Sequence, residues 1–318
     1  IGESRTAPFA TGWLPPAGSH TLTARATSSY GQATVSAPVP ITVRESDPGR
    51  VLNFSLLSET GPGTSAVIMG FVAGGSGTSG TKPLLVRAIG PSLAAFGVTN
   101  AAVDPAATLF TGGAMAANND NWTGNAAVAA TGAAVGAFPL TDPASRDAAF
   151  TTTRPAGAHT IVVTGASGQI LTELYDATPA ASYTLATPRL TNVSARALVA
   201  PGNDTLQAGL VVGGTAARTL LIRAIGPGLA GFGVTNALTD PRLELFPAGA
   251  AAPLAVNDNW GANPALMAAG AMVGAFALLP TSRDAALLVT LAPGIYTLRL
   301  TAPAASTGLA LIDVFEVP

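Results

Sequence analysis

The chain contains no cysteine, which excludes disulfides, thiol catalysis, zinc–thiolate sites and iron–sulfur clusters together. Its absence leaves the compartment open, but it suits an exported bacterial protein that avoids stray oxidation. Charge is scarce as well: 10% of the 318 residues are charged, against about 25% in an ordinary protein. Lys82 is the sole lysine, and His20 and His159 are the two histidines. The net charge of −2 leaves no electrostatic footprint for nucleic acid or an anionic membrane. The longest charge-free stretch that invites a membrane reading, residues 261–282, is interrupted by Pro264 and Pro280 and reads as a buried helix instead. The chain opens on Ile1, with no basic-then-apolar leader. It is expected to be a mature or excised piece of a longer precursor.

Catalytic signatures are missing too. There is no G-x-S-x-G elbow and no H-E-x-x-H helix. Nothing points to a carboxylate pair for glycoside hydrolysis. The run "GGSGTSG" holds Gly75-x-Gly77-x-x-Gly80, a formal dinucleotide fingerprint. Its second occurrence shortens to "GGTAA" and no βαβ pattern surrounds it, so it reads as a hairpin loop. The chain is therefore expected to have no enzymatic activity.

What is present is repetition. "LLVRAIGPSLAAFGVTNAAVDP" (84–105) matches "LLIRAIGPGLAGFGVTNALTDP" (220–241) without a gap. "NDNW", "VGAF" and "SRDAA" each recur downstream, and each copy closes on a glycine turn and strands, "PAGAHTIVV" and "APGIYTLRL". The expected organisation is copy one at 47–178, a linker at 179–188 and copy two at 189–318. Apolar residues make up 48%, and 36 glycines and 25 prolines cut the chain into short elements, many with two-residue alternation. "NPALMAAGAMVGAF" (263–276) and "NAAVAATGAAVGAF" (125–138) are the helical candidates. The fold class expected is all-β: tandem antiparallel β-sandwiches, immunoglobulin-like or jelly-roll-like, each repeat with one short helix.

Residues 1–46 differ from the copies. "APFATGWLPPAGSHTLTARATSSYGQATVSAPVPITV" reads as three strands around Pro-Gly and Tyr-Gly turns and resembles the C-terminal half of a bacterial immunoglobulin-like domain. Trp13, Ala17, Gly18, Thr21 to Ala24, Gly31 and Val43 carry the likeness. Three strands cannot close a core alone, so their apolar face needs a partner. The tandem unit resembles a repeat near the C-termini of very large secreted and surface proteins of environmental bacteria. The phrases that carry it are "LIRAIGPxLAxFGV", "NDNW", "VGAF" and "SRDAALLVTLxPGxYT". The second half is also similar, more loosely, to the bacterial pre-peptidase C-terminal β-sandwich. These resemblances imply a non-catalytic extracellular β-sandwich array.

Polar residues kept in both copies are the candidate site residues. Arg87 and Arg223 sit inside apolar strands and need a carboxylate, because an unpaired buried charge costs several kcal/mol. Asp104, Asp120 and Asp147 are the candidates for Arg87. Arg87, Asp104, Arg146 and Asp147, with Arg223, Asp240, Arg283 and Asp284, are expected to form structural ion pairs. Asp120 and Asp258 in "NDNW" are weighed as calcium ligands. One Asp per loop is too little charge, and the EF-hand spacing is absent. The other reading is a turn whose tryptophan plugs the sandwich with its indole N–H bonded. Four N-x-[ST] sequons mark Asn53, Asn121, Asn192 and Asn203 as glycosylation candidates.

The function expected is that of a structural protein, extracellular or on the cell surface. It would self-associate into a fibre or adhesive homopolymer through strand donation by the N-terminal half domain. The alternative is a polysaccharide-binding accessory module using Trp13, Tyr30, Trp122 and Trp260. A third reading is a plain stalk.

Overall fold

The computed structural model describes residues 2–6, 9, 18–43, 49–60, 66–165, 167–199, 205–303 and 306–318. The chain divides into two compact units, Ile1–Asp47 and Pro48–Pro318.

The first unit carries β1 (Gly18–Leu22), β2 (Arg25–Thr27), β3 (Ala33–Val35) and β4 (Val39–Val43). β1 pairs with β4 and β2 with β3, both antiparallel. The expected three strands are thus four short ones. They form one long hairpin around the Tyr30–Gly31 turn, broken at Thr23 and Ala24 on one arm and at residues 36–38 on the other. Gly31 takes a φ of 80°, which the turn requires and a glycine supplies at no steric cost. None of residues 18–43 is buried.

In the second unit, copy one supplies β5 (Arg50–Thr60), β6 (Val67–Gly74), β7 (Thr81–Ile89), β8 (Ala106–Thr111) and β9 (Ala114–Asn119). Helix α1 (Ala126–Ala134), β10 (Ala148–Pro155), β11 (Gly157–Thr164) and β12 (Gly168–Asp176) complete it. Copy two repeats the series with β13 (Arg189–Val199), β14 (Thr205–Gly213), β15 (Arg218–Ile225), β16 (Arg242–Pro247) and β17 (Ala255–Asn257). Helix α2 (Pro264–Met272), β18 (Ala285–Leu291), β19 (Gly294–Thr301) and β20 (Gly308–Glu316) follow. The helices are shorter than the apolar runs that suggested them. Asn125 and Asn263 cap their starts. The glycine of each "VGAF", Gly136 at φ 74° and Gly274 at φ 70°, turns the chain out at the end.

Among the described residues the unit is all-β in plan, with two eight-stranded antiparallel sheets. Their orders are β10-β7-β12-β5-β14-β19-β16-β17 and β18-β15-β20-β13-β6-β11-β8-β9. Replacing each strand of the first sheet by its counterpart in the other copy reproduces the second sheet. A pseudo-two-fold axis therefore runs between the sheets, along the strands. β5 joins β14 and β6 joins β13, so each sheet passes from one copy into the other. A single hydrophobic cluster fills the space between the sheets. It includes Phe54, Met69 and Leu109 of copy one and Leu206, Leu298 and Ile312 of copy two, all at 0% exposure.

This join is the respect in which the structure differs from sandwiches set one after another. The first two strands of each copy offer open edges with apolar inner faces, and the other copy satisfies both. The run Gly75–Gly80 is likewise not a hairpin loop within one sheet. It crosses from β6 in one sheet to β7 in the other.

The doubled phrase "AIGP" has a packing cause. A short segment of each copy runs against the start of the last strand through the parallel bridges Ala101↔Gln169 and Ala237↔Leu309. A Cβ on Gly90 would lie 2.0 Å from the Ala102 carbonyl oxygen, and one on Gly226 would lie 2.1 Å from that of Leu238. Backbone cannot retreat cheaply, so Gly226→Ala is expected to cost about 1–3 kcal/mol by overpacking. A urea melt of that variant checks it. An unchanged midpoint would show that the segment yields freely.

Candidate functional site

The most elaborate side-chain arrangement lies on the outer face of each sheet, beneath the segment that links "NDNW" to "SRDAA". In copy one the antiparallel register of β7 and β12 sets Glu173 directly opposite Arg87. Arg87 Nε donates to Glu173 Oε2 at 2.7 Å, and Nη2 lies 2.6 Å from the same oxygen. Nη1 donates to the Phe138 carbonyl at 2.6 Å, and the Phe138 ring lies 4.2 Å from the guanidinium carbon. The free oxygen, Glu173 Oε1, accepts from the Tyr175 hydroxyl at 2.7 Å. Burial pushes the Tyr175 hydroxyl well above its ordinary range, and the Glu173 charge adds to the effect.

Copy two builds the same clasp with different parts. Asp313 stands opposite Arg223, which reaches both carboxylate oxygens, from Nε at 2.9 Å to Oδ1 and from Nη2 at 2.6 Å to Oδ2. No carboxylate oxygen is left to satisfy, and Phe315 replaces the tyrosine. Arg223 Nη1 donates to the Phe276 carbonyl at 2.7 Å, and that ring lies 4.4 Å from the guanidinium carbon. Burial raises the Asp313 carboxyl above its ordinary range, and the Arg223 charge pulls the other way. In both copies a buried arginine on the sheet grips the phenylalanine of "VGAF" and holds the outer segment down.

The tryptophan is that segment's second anchor. Trp122 is 4% exposed and packs with Leu85, Val128, Ala149 and Tyr175. Its indole N–H donates to the Asp142 carbonyl at 3.0 Å, and that of Trp260 donates to Leu279 at 3.1 Å. The first asparagine of each motif staples the corner. Asn119 Nδ2 donates to the Asn121 carbonyl at 2.8 Å, and its Oδ1 accepts from the Ala149 N–H at 2.8 Å. Asn257 does the same with Asn259 and Ala286, each at 3.0 Å. "NDNW" is a corner with a plug. Asp120 and Asp258 are exposed. Among the described residues no group of three or more His, Asp or Glu side chains is placed to hold a metal.

The structure corrects several expected partners. Arg87 meets none of Asp104, Asp120 or Asp147. Asp147 and Asp284 are not in ion pairs among the described residues. They are buried acceptors that cap the 3-10 turns Pro91–Phe96 and Pro227–Phe232. Asp147 Oδ1 accepts from the Gly90 N–H at 2.8 Å, and Asp284 Oδ1 from the Gly226 N–H at 2.7 Å. The hydroxyls of Ser92 and Ser145 bond to Asp147, and that of Ser282 bonds to Asp284. Arg146 does pair with Asp104 at 2.8 Å, and Arg283 with Asp240 at 3.0 Å. Both bridges are solvent-exposed, worth at most about 1 kcal/mol each.

Two of the sequons are strand clamps. Asn53 Nδ2 donates to the Leu174 carbonyl and Asn192 Nδ2 to that of Val314, each at 3.1 Å. These counterparts hold the last strand of their own copy, and their amide nitrogens are occupied. Asn203 lies outside the described residues, as does Trp13. Asn121 is half-buried in the corner. His159 is structural: its Nε2–H donates to the Pro155 carbonyl at 3.0 Å, which leaves Nδ1 to accept from Thr111 at 2.9 Å. Its counterpart Tyr296 likewise donates to a carbonyl four residues back, that of Ala292, at 2.8 Å.

A second polar arrangement, missed in the sequence, lies where β5, β7, β13 and β15 begin and β12 and β20 end. Asp176 contacts Lys82 and lies 3.7 Å from Arg50 Nε. The counterpart Glu316 lies 2.8 Å from Arg189 Nε and 3.3 Å from Arg218 Nη2. Glu316 also crosses between copies, accepting from the Val51 N–H at 3.4 Å. The Arg50 guanidinium lies 3.6 Å over the ring of Tyr183, which belongs to the segment between the copies. The only sequence signal was position: four cations at strand starts and two carboxylates at strand ends.

No helix among the described residues is long and apolar enough to cross a membrane. No protein-family model and no curated protein matches the chain. Among solved structures, tripeptidyl peptidase 2 is similar at 9% identity with a TM-score of 0.17, over 95% of this chain and 26% of that one. The chain spans about a quarter of that protein's length, and likeness at this level carries no argument.

Proposed function

We propose that the chain is a non-catalytic structural protein of the cell surface or extracellular matrix. Its N-terminal unit would join one molecule to the next by strand donation. The observation that carries this reading is the exposure of that unit: Tyr30 is 92% exposed, Val35 56% and Val39 54%. A hairpin with both faces in water is marginal by itself and gains most by completing another sheet. In the same reading each repeat is a sandwich unit with its own helix, two such units being fused edge to edge.

The fused pair supports this division of labour. Its join is isologous, each copy using the edges that the other needs, so it closes rather than propagates. Growth of an assembly then falls to a different surface, and the first unit offers one. Burial of Trp122 and Trp260, at 4% and 5% exposure, removes them from the polysaccharide-binding alternative.

Deleting residues 1–47 tests the proposal. Under negative-stain imaging and sedimentation the full chain should polymerise and the truncated chain should remain monomeric. Polymers that persist without residues 1–47 would contradict it, as would a full chain that stays monomeric at high concentration.

A further inference from the structure

Lys82, the sole lysine, is at 0% exposure, and the side chain of its contact partner Asp176 is also at 0%. They stand on neighbouring strands, β7 and β12, locked in register close by. Lys82 Nζ donates to Thr178 Oγ1 at 2.9 Å, and the Ala177 N–H donates to the Pro83 carbonyl at 3.0 Å, so neither residue can swing away. The two carboxylate oxygens have separate surroundings. Oδ1 accepts from the Thr178 N–H at 2.9 Å, while Oδ2 faces Nζ, with Arg50 Nε at 3.7 Å. The counterpart pair in copy two is Arg218 with Glu316.

We propose that Lys82 and Asp176 condense into an intramolecular isopeptide bond, Nζ to Cγ, which closes copy one covalently. Burial lowers the Lys82 ammonium from its ordinary value, although the Asp176 charge opposes that shift. Proton transfer from ammonium to carboxylate then gives the reacting forms, a free amine and a carboxylic acid. The Nζ lone pair attacks Cγ. Oδ1 becomes the oxyanion and is stabilised by the Thr178 N–H, while Arg50 lies on the side of the departing Oδ2. The intermediate collapses as the Cγ–Oδ2 bond breaks. Oδ2 leaves as water, carrying its own proton and one from the nitrogen, and the product is a secondary amide. One amine and one acid give one amide and one water, with no oxidant, reductant or further reagent. Fixed proximity of the two groups supplies what the same reaction lacks in solution. Arg218 cannot follow this course, since its guanidinium stays protonated and delocalised. Copy two would keep the ion pair, and copy one, with the shorter amine and shorter acid, would replace it by a bond.

The test is mass spectrometry of the full chain under denaturing conditions. The intact mass should fall below the sequence mass by one water. Trypsin does not cut before Pro83 or Pro155, so Lys82 falls in peptide 51–87 and Asp176 in peptide 147–189. The two should appear joined, at the sum of their masses less one water. A Lys82→Arg variant should show its unmodified sequence mass and release the peptides separately. Separate, unmodified peptides 51–87 and 147–189 from the wild type would overturn the proposal. So would a water loss that persists in Lys82→Arg. The peptide map of the wild type decides the matter even where the variant fails to fold.

Discussion

Asp313→Ala should destabilise the protein by about 3–5 kcal/mol, the usual effect of stranding one member of a buried ion pair. Arg223 is 3% exposed, and it loses every contact to the Asp313 carboxylate while the outer segment still covers it. Its remaining bond, to the Phe276 carbonyl, then holds an uncompensated charge in place. The segment can relieve this by lifting, which wets Trp260. The destabilisation should therefore come with increased quenching of tryptophan fluorescence. The double variant Arg223→Met with Asp313→Leu separates the cost of a stranded charge from the worth of the pair. Replacing a buried pair by apolar side chains is often neutral or better, so the double variant should recover most of the loss. A urea series on the three proteins measures this. A single variant within about 1 kcal/mol of wild type, an exposed-bridge magnitude, would show that the clasp is hydrated.

Trp122→Ala is the other large effect, about 3–5 kcal/mol for truncating a buried aromatic. The side chain fills the space between α1 and the outer face of β7 and β10, against Leu85, Val128 and Ala149. Removing it opens a cavity and strips the Asp142 carbonyl of its indole donor. Trp122→Phe fills most of the volume without the N–H, so it should lose clearly less.

Particular residues show how far the sequence could be read. The repeat, the all-β class and the tryptophan plug were visible because they rest on local patterns: matched phrases, short alternating runs, an Asn-Asp-Asn turn beside a large aromatic. Arg87 announced its need for a carboxylate, but the partner lay elsewhere. Glu173 and Asp313 differ between copies, so a search for identical doubled residues passes over them. They meet their arginines only through strand pairing across 86 and 90 residues. Asn53 and Asn192 carried a sequon, and the sequon masked a strand clamp that both copies share. Asp147 and Asp284 looked like charges awaiting arginines, yet the N–H groups of a 3-10 turn and neighbouring hydroxyls satisfy them. The fusion of the copies had no local signature at all. β5 and β13 alternate as any half-buried strand does, and period-two alternation is the same at an edge and in the middle of a sheet.

That fusion is the central claim: residues 48–318 form one sandwich with shared sheets and one core. Scanning calorimetry of the wild type and of Trp122→Ala tests it most directly. With a continuous core the protein should unfold from both copies together, and damage confined to copy one should lower that whole transition as a single peak. A variant that splits into two peaks, one displaced and one, from copy two, left at the wild-type temperature, would mean that the copies are independent bodies and would contradict the claim.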